Sequence, residues 1–313
     1  MPLRIVFCGT PSFALPALEH ILAQPDFQVE GIVTQPDRPR GRGLGTSVSP
    51  VKKAALEAGI AVYQPEIIKS DQVVDYFARI SPDVVVIIAY GQIIPAHLLV
   101  IPRLGWINLH ASLLPKYRGA APINWSIVEG QTRTGVTTMQ VEAGLDTGPV
   151  LLQRELAMGP DETAPVLRAR LAEAGAPLMV DTLRGIERGE IVATPQDNSQ
   201  ATFARQLKKE DGRIDWLLAA EDTYRRIRGF EPWPGAFTRF RGKHCRVWGR
   251  PRAQGQVSGP PGTLFFGGDE LTVACGNGTM LRLEFLQLEG RKRVTALEFA
   301  NGARLTHDER FGI

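Results

Sequence analysis

The sequence has 313 residues, 43% of them hydrophobic and 22% charged, which suits a globular protein of two domains and excludes a disordered or fibrous chain. The formal net charge of +3 conceals an asymmetry: residues 1–202 carry 17 basic and 20 acidic side chains, whereas residues 203–313 carry 19 and 13. No apolar run approaches the roughly 18 residues of a membrane span, and the opening MPLRIVFCGT lacks a secretory signal, so a cytoplasmic protein is expected.

Arg4 to Cys8 is a short apolar run ended by Gly9-Thr10-Pro11 and reads as a first strand. Leu15, Leu18, Ile21 and Leu22 follow at helical spacing. Val29 to Thr34 is a second strand, and the loop from Thr34 to Pro50 carries Arg38, Arg40 and Arg42 with no acid between them. A loop of that length in a compact domain is usually functional, and three arginines suit phosphate contacts. Pro50 and Val51 open another helix. Val84 to Ala89 is continuously apolar, as in a strand buried on both faces of a parallel sheet. Trp106 to Leu109, Thr134 to Val141 and Pro149 to Leu156 are further strands, and a helix follows from Asp161 to Arg188-Gly189. This alternation predicts an α/β domain with a mostly parallel sheet over residues 1–189.

Residues 190–206 are polar, with a Pro and an Asn-Ser pair, and read as a linker. Beyond them a helix at Ala219 to Arg228 precedes β-like runs at Ala236 to Phe240, His244 to Trp248, Gly262 to Phe266, Leu271 to Cys275 and Met280 to Gln287. Short strands at this spacing predict a small OB-like β-barrel over residues 207–313, a common nucleic-acid platform. The basic excess of this half suggests a polyanionic partner.

Gly9-Thr10-Pro11 lacks the glycine spacing of a dinucleotide fingerprint, so no nicotinamide is expected. Cys8, Cys245 and Cys275 form no CxxC and the histidines are scattered, so no metal is expected. The chemistry is concentrated elsewhere. Asn108 and His110 lie two apart at the carboxyl end of a strand, on one face, where open α/β sheets bind ligands. Gly144-Leu145-Asp146-Thr147-Gly148 places an acid in a tight glycine turn. An amide that donates to an oxyanion, an imidazole that donates or carries protons and a carboxylate that orients it suit carbonyl chemistry. On the residues alone, a structural histidine remains an equal reading of His110.

The stretch INLHASLLPKYRGAAPINW (Ile107 to Trp125) resembles the signature of the 10-formyltetrahydrofolate-dependent formyltransferases, and GVTTMQVEAGLDTGPVL (Gly135 to Leu151) resembles their second motif. FCGTPSFALPAL, TQPDRPRGRG, RIDW (Arg213 to Trp216) and RGFEPWPGAF (Arg228 to Phe237) also match at family-like spacing, so the resemblance covers nearly the whole chain. It implies a Rossmann-like catalytic domain (1–189), a linker (190–206) and an OB-like β-barrel that binds tRNA (207–313). The implied reaction moves a formyl group from 10-formyltetrahydrofolate to methionyl-initiator tRNA. The implied catalytic residues are Asn108, His110 and Asp146. Folate falls to Ser112, Leu113, Leu114, Pro115 and Tyr90, and tRNA to Arg38, Arg40, Arg42, Lys208 and Lys209. A monomer without metal is expected. Where some members carry two lysines after the GRG of the arginine loop, this chain has Leu44-Gly45. The runner-up acceptor is a sugar-nucleotide amine. The arginine loop and the basic C-terminal half stand against it, since a small nucleotide needs neither.

Overall fold

The computed structural model describes residues 1–39, 46–253, 259–306 and 309–312. The chain divides into two compact units, one of Met1–Pro122, Arg133–Met158 and Leu167–Arg205, the other of Ile123–Thr132, Gly159–Val166 and Gln206–Ile313.

The first half of the chain runs β1 (Leu3–Gly9), α1 (Leu15–Leu22), β2 (Phe27–Val33), β3 (Arg38–Pro39), β4 (Thr46–Ser47), α2 (Pro50–Glu57), β5 (Val62–Tyr63), α3 (Asp71–Ile80), β6 (Val84–Ile88), α4 (Ala96–Leu99) and β7 (Trp106–His110). It continues with α5 (Pro122–Val128), β8 (Arg133–Gln140), β9 (Val150–Ala157) and α6 (Ala164–Glu187). Seven strands form one sheet in the order β5-β2-β1-β6-β7-β8-β9. The pairings from β5 to β7 are parallel, and those of β7 with β8 and of β8 with β9 are antiparallel. The α/β architecture expected from the alternation of strands and helices is therefore present.

All five residues of β6 are buried, which is why its sequence is apolar without a break. Beside it, Trp106 of β7 donates its indole N–H to the Leu98 carbonyl at 2.9 Å and packs 5.1 Å from the Phe77 ring. On the other face of β7, α6 comes close at Gly175, where a Cβ would lie 2.5 Å from the Leu109 side chain. Side chains alternate along a strand, so Leu109 goes under α6 while Asn108 and His110 share the opposite face.

Four helices, α3, α4, α5 and α8, fall outside those expected from sequence. The α3 stripe of Val73, Phe77 and Ile80 stands at helical spacing and packs on the core with Val74 and Tyr76, so this helix is legible in the sequence although the expected elements omit it. Within the stretch 190–206, read from sequence as a linker, residues 194–204 form a strap bound to the first unit. Thr194 pairs with Val150 and Phe203 with Arg118. The Arg118 N–H donates to the Thr202 carbonyl at 2.8 Å, and the Ala204 N–H donates to the Arg118 carbonyl at 2.7 Å. The strap is held through its backbone and polar groups, so its composition resembles that of solvated chain.

The second unit contains α7 (Ala220–Gly229), β10 (Phe237–Phe240), β11 (Lys243–Pro251), β12 (Leu264–Gly267), β13 (Glu270–Ala274), β14 (Met280–Leu288), β15 (Val294–Thr295) and α8 (Ala296–Ala303). The strands form an antiparallel sheet in the order β10-β11-β14-β13-β12, with β15 against β14. Tyr224 and Ile227 of α7 join Val247, Leu281 and Phe299 in its core, and Trp216 stacks on Phe311 at 5.3 Å. Two stretches that lie amid the first unit's sequence, Ile123–Thr132 and Gly159–Val166, belong to this unit. The Asn124 amide donates to the Gly229 carbonyl at 2.7 Å, and Arg228 donates to the Glu162 carbonyl at 2.8 Å. Among the described residues no helix is long and apolar enough to cross a membrane.

All three cysteines are buried. Burial pushes the Cys8 thiol far above its usual range and the Cys245 and Cys275 thiols up to about 12, so none is a thiolate at neutral pH. A disulfide-exchange dye at neutral pH is therefore expected to titrate no thiol rapidly in the native protein and all three after denaturation. Rapid reaction of any native thiol would contradict the burial described.

Candidate active site

β7 ends at His110, and the chain turns at once into a segment stapled to the neighbouring strand. Thr137 of β8 pairs with His110 across the ladder. Its hydroxyl donates to the Ser112 carbonyl at 2.6 Å and accepts from the Leu114 N–H at 3.1 Å and from Gln153 Nε2 at 2.9 Å. Gln153 also donates to the Leu114 carbonyl at 2.8 Å, and the Ser112 hydroxyl donates to the Lys116 carbonyl at 2.6 Å. Tyr117 then adopts a left-handed conformation, with its N–H donating to Thr202 Oγ1 of the strap at 2.9 Å.

That turn brings the Tyr117 carbonyl to within 2.9 Å of His110 Nε2. A carbonyl can only accept, so Nε2 carries a proton. The other ring nitrogen, Nδ1, faces Asp146 Oδ2 at 3.6 Å. The same Oδ2 accepts the Gly119 N–H at 2.8 Å. Asp146 sits in the turn joining β8 to β9 with a positive φ of 51°, a conformation that costs a non-glycine residue of order 1–3 kcal/mol. The turn folds tightly because Gly148 has no Cβ; one there would lie 1.9 Å from the Gln140 carbonyl oxygen. Asn108, half-buried, forms no side-chain hydrogen bond among the described residues, so its amide donors are unspent. The imidazole thus lies between a carbonyl and a carboxylate, with an open amide on its own strand face. A proton brought to Nδ1 meets the Asp146 carboxylate, and a carbonyl oxygen developing charge can meet Asn108.

The other residues expected at a ligand site divide. Leu113 and Pro115 are half-buried on the turn. Leu114 and Ser112 are buried, and the Ser112 hydroxyl is consumed within the turn. The Tyr90 side chain packs in a core cluster with Cys8, Val33, Phe77 and Leu98, and burial pushes its phenol above the usual range. Arg38 is exposed, while Arg40 and Arg42 lie outside the described residues. The base of their loop is clipped by Thr34 and Ser49, whose hydroxyls are 3.0 Å apart, and by the Asp37–Lys52 ion pair, which holds the Asp37 carboxyl below its usual range. Lys208 and Lys209 are exposed in the second unit. Among the described residues no group of three or more His, Cys, Asp or Glu side chains could hold a metal ion.

Sequence reasoning missed Thr137, Arg118 and Gln196. Arg118 is 3% exposed and donates to Gln196 Oε1 from Nε at 3.0 Å and from Nη2 at 2.8 Å. Gln196 in turn donates to the Asp146 and Gly148 carbonyls at 2.8 and 2.7 Å. Partners 78 positions apart, one of them in a stretch that reads as linker, leave no local signal.

A formyl transferase family model matches residues 3–183, and a model of the formyl transferase C-terminal domain matches residues 206–304. The methionyl-tRNA formyltransferase of Solibacter usitatus is 52% identical over 311 residues, covering 99% of both chains. That of Koribacter versatilis is 49% identical, covering 98% of each. Among solved structures, WlaRD, a sugar 3N-formyl transferase in the presence of dTDP and 5-N-formyl-THF, superposes with a TM-score of 0.67 at 14% identity, over 93% of this chain and 100% of its own. HypX from Aquifex aeolicus in complex with tetrahydrofolic acid superposes with a TM-score of 0.63 at 16% identity, over 96% of this chain and 48% of its own. At those identities the likeness is one of fold.

Thr137→Val removes the hydroxyl that holds the turn after β7 and leaves buried polar groups without a partner. It is expected to lower stability by roughly 1–3 kcal/mol in urea unfolding. A loss within about 0.5 kcal/mol, the range of a neutral surface change, would show that the hydroxyl does not hold the turn.

Proposed function

The chain belongs to the formyl transferase family, and from that premise we propose that it transfers the formyl group of 10-formyltetrahydrofolate to the free amino group of methionyl-initiator tRNA, giving N-formylmethionyl-tRNA and tetrahydrofolate. The full-length similarity to curated methionyl-tRNA formyltransferases supports the acceptor. The observation that carries the chemistry is the approach of Asp146 to His110 beside an Asn108 amide that has no hydrogen-bond partner among the described residues.

In this reading the neutral α-amino nitrogen of the methionyl ester attacks the formyl carbon, and the carbonyl π-electrons move onto oxygen. The Asn108 amide donates to that oxyanion. Collapse reforms the C=O bond and breaks the bond from carbon to folate N10. The attacking nitrogen must lose a proton and N10 must gain one, and the His110–Asp146 pair carries it. The Nε2 proton of His110 is already given to Tyr117, which leaves the Nδ1 side, facing Asp146, for this transfer. Leu113, Leu114 and Pro115 are proposed to line the folate site, with Ser112 and Tyr90 supporting its wall. Arg38, Arg40, Arg42, Lys208 and Lys209 are proposed to meet the tRNA backbone.

A second reading, transfer to a sugar-nucleotide amine, draws on the fold likeness to WlaRD. Incubation with the formyl donor and either charged initiator tRNA or an amino-sugar nucleotide separates the two. The proposal expects formyl transfer to the tRNA alone; transfer to the sugar amine alone would replace it.

Asn108→Ala is expected to lower turnover on the order of 10²–10³-fold, as for loss of one oxyanion donor. His110→Ala and Asp146→Ala should lose most turnover while folate binding persists. Near-normal turnover in any of the three would remove that residue from the mechanism.

Arg42, flanked by Gly41 and Gly43, is expected to contribute a phosphate contact. Arg42→Ala should reduce the salt slope of tRNA binding by about one unit without changing folate affinity. An equal loss in Arg38→Ala and Arg40→Ala would mark a diffuse charge patch instead.

A further inference from the structure

We infer that Arg118 and Gln196 are positioning residues for Asp146, with Arg118 locking the Gln196 carboxamide so that its NH₂ group clamps the turn that carries the carboxylate. The inference rests on the role proposed for Asp146 above.

The starting observation is a buried cation without an anion. The Arg118 side chain forms no ion pair among the described residues, although the residue is 3% exposed. A buried guanidinium is costly unless its donors are satisfied. Here they go to amide oxygens: Gln196 Oε1 takes Nε and Nη2, and Asn198 Oδ1 takes Nη2 at 2.8 Å. This is an expensive way to hold a surface strap, which already has backbone bonds from Arg118 itself. It is an effective way to orient an amide. A carboxamide has one acceptor end and one donor end, and a cation at the acceptor end fixes which is which.

The donor end then points in one direction only. Gln196 Nε2 donates to the Asp146 carbonyl at 2.8 Å and to the Gly148 carbonyl at 2.7 Å, so both of its hydrogens are used. These carbonyls bracket the tightest part of the turn, where Asp146 is held at positive φ. A non-glycine residue stays in that region only when its surroundings over-determine it. Gln196 supplies part of that constraint from the backbone side. The residue after Arg118 supplies the rest, since the Gly119 N–H holds Asp146 Oδ2 at 2.8 Å. Two consecutive residues of one loop thus hold Asp146 at both ends, directly at the carboxylate and through Gln196 at the main chain. Relaxation of the turn would move Oδ2 away from His110 Nδ1.

Gln196→Glu tests this. A glutamate keeps the acceptor for Arg118, now as a charge-assisted pair, but loses both hydrogens and sets oxygen against the Asp146 and Gly148 carbonyls. If Gln196 only fastens the strap, the variant is folded at the assay temperature and its turnover is unchanged. The positioning role predicts that the variant is folded at the assay temperature and that kcat falls by about 10²-fold, the effect of a catalytic group displaced by about 1 Å. KM for the folate donor should stay within about twofold of wild type, since a displaced carboxylate removes an interaction made in the transition state. Amide hydrogen exchange at Gly119 should quicken, because its acceptor is released. Unchanged kcat, a kcat loss accounted for by the fraction of protein unfolded at the assay temperature, or unchanged Gly119 exchange would each overturn the inference. Should Gln196→Glu fail to fold, Gln196→Leu, which removes both ends of the amide, must show the same faster Gly119 exchange. Wild-type protein is assayed alongside with charged tRNA. Its failure to formylate would sink the proposed function, while Gly119 exchange would still decide the inference.

Discussion

The site depends on holding one carboxylate in a backbone conformation it would not choose. Asp146 sits at positive φ with its Oδ2 bound by the Gly119 N–H and facing His110 Nδ1 at 3.6 Å. A free turn of this sequence would relax and take the carboxylate with it. What prevents this is a closed set of hydrogen bonds among three segments distant in sequence: the turn after β7, the turn between β8 and β9, and the strap at 194–204. The turn after β7 is fixed by Thr137, the β8–β9 turn by Gln196, and the strap by the backbone of Arg118. Most of these bonds involve main-chain groups, which tolerate little displacement before they break.

The sheet explains why the segments meet here. β7 is the last parallel strand, and β8 runs beside it in the opposite direction. The carboxyl end of β7 therefore lies next to the beginning of β8, while the β8–β9 turn is bonded back through the Gly119 amide and Gln196. Asn108 and His110 project on one face because the strand alternates. The other face is closed by α6 at Gly175, so a ligand has one side on which to approach them.

Much of this was legible from residues. The unbroken apolar run of β6, the Asn108-x-His110 spacing at a strand end and the glycine-flanked Asp146 each express a local constraint, and local constraints survive in sequence. The second unit's strands were legible for the same reason, since glycine turns separate short alternating runs. What escaped was non-local. Gln196 looks like solvated chain because it is held by hydrogen bonds and not by apolar burial. Arg118 looks like a surface cation until its burial is seen. The surroundings of Tyr90 and Ser112 were likewise not legible: one is packed in a core cluster and the other donates its hydroxyl to the Lys116 carbonyl. The stretches 123–132 and 159–166 lie amid the first unit's sequence yet group with the second, through partners such as Gly229 that no local pattern announces.

The central claim is that the Asn108 amide and the His110–Asp146 pair converge on a formyl carbon. The most direct measurement is a structure of the protein with a non-reactive analogue of the formyl donor bound. The account predicts the formyl oxygen at about 2.7–3.1 Å from Asn108 Nδ2, the distance of an oxyanion donor, with Asp146 still facing His110. A formyl group bound out of reach of Asn108, or an Asp146 turned away from His110 in that complex, would contradict it.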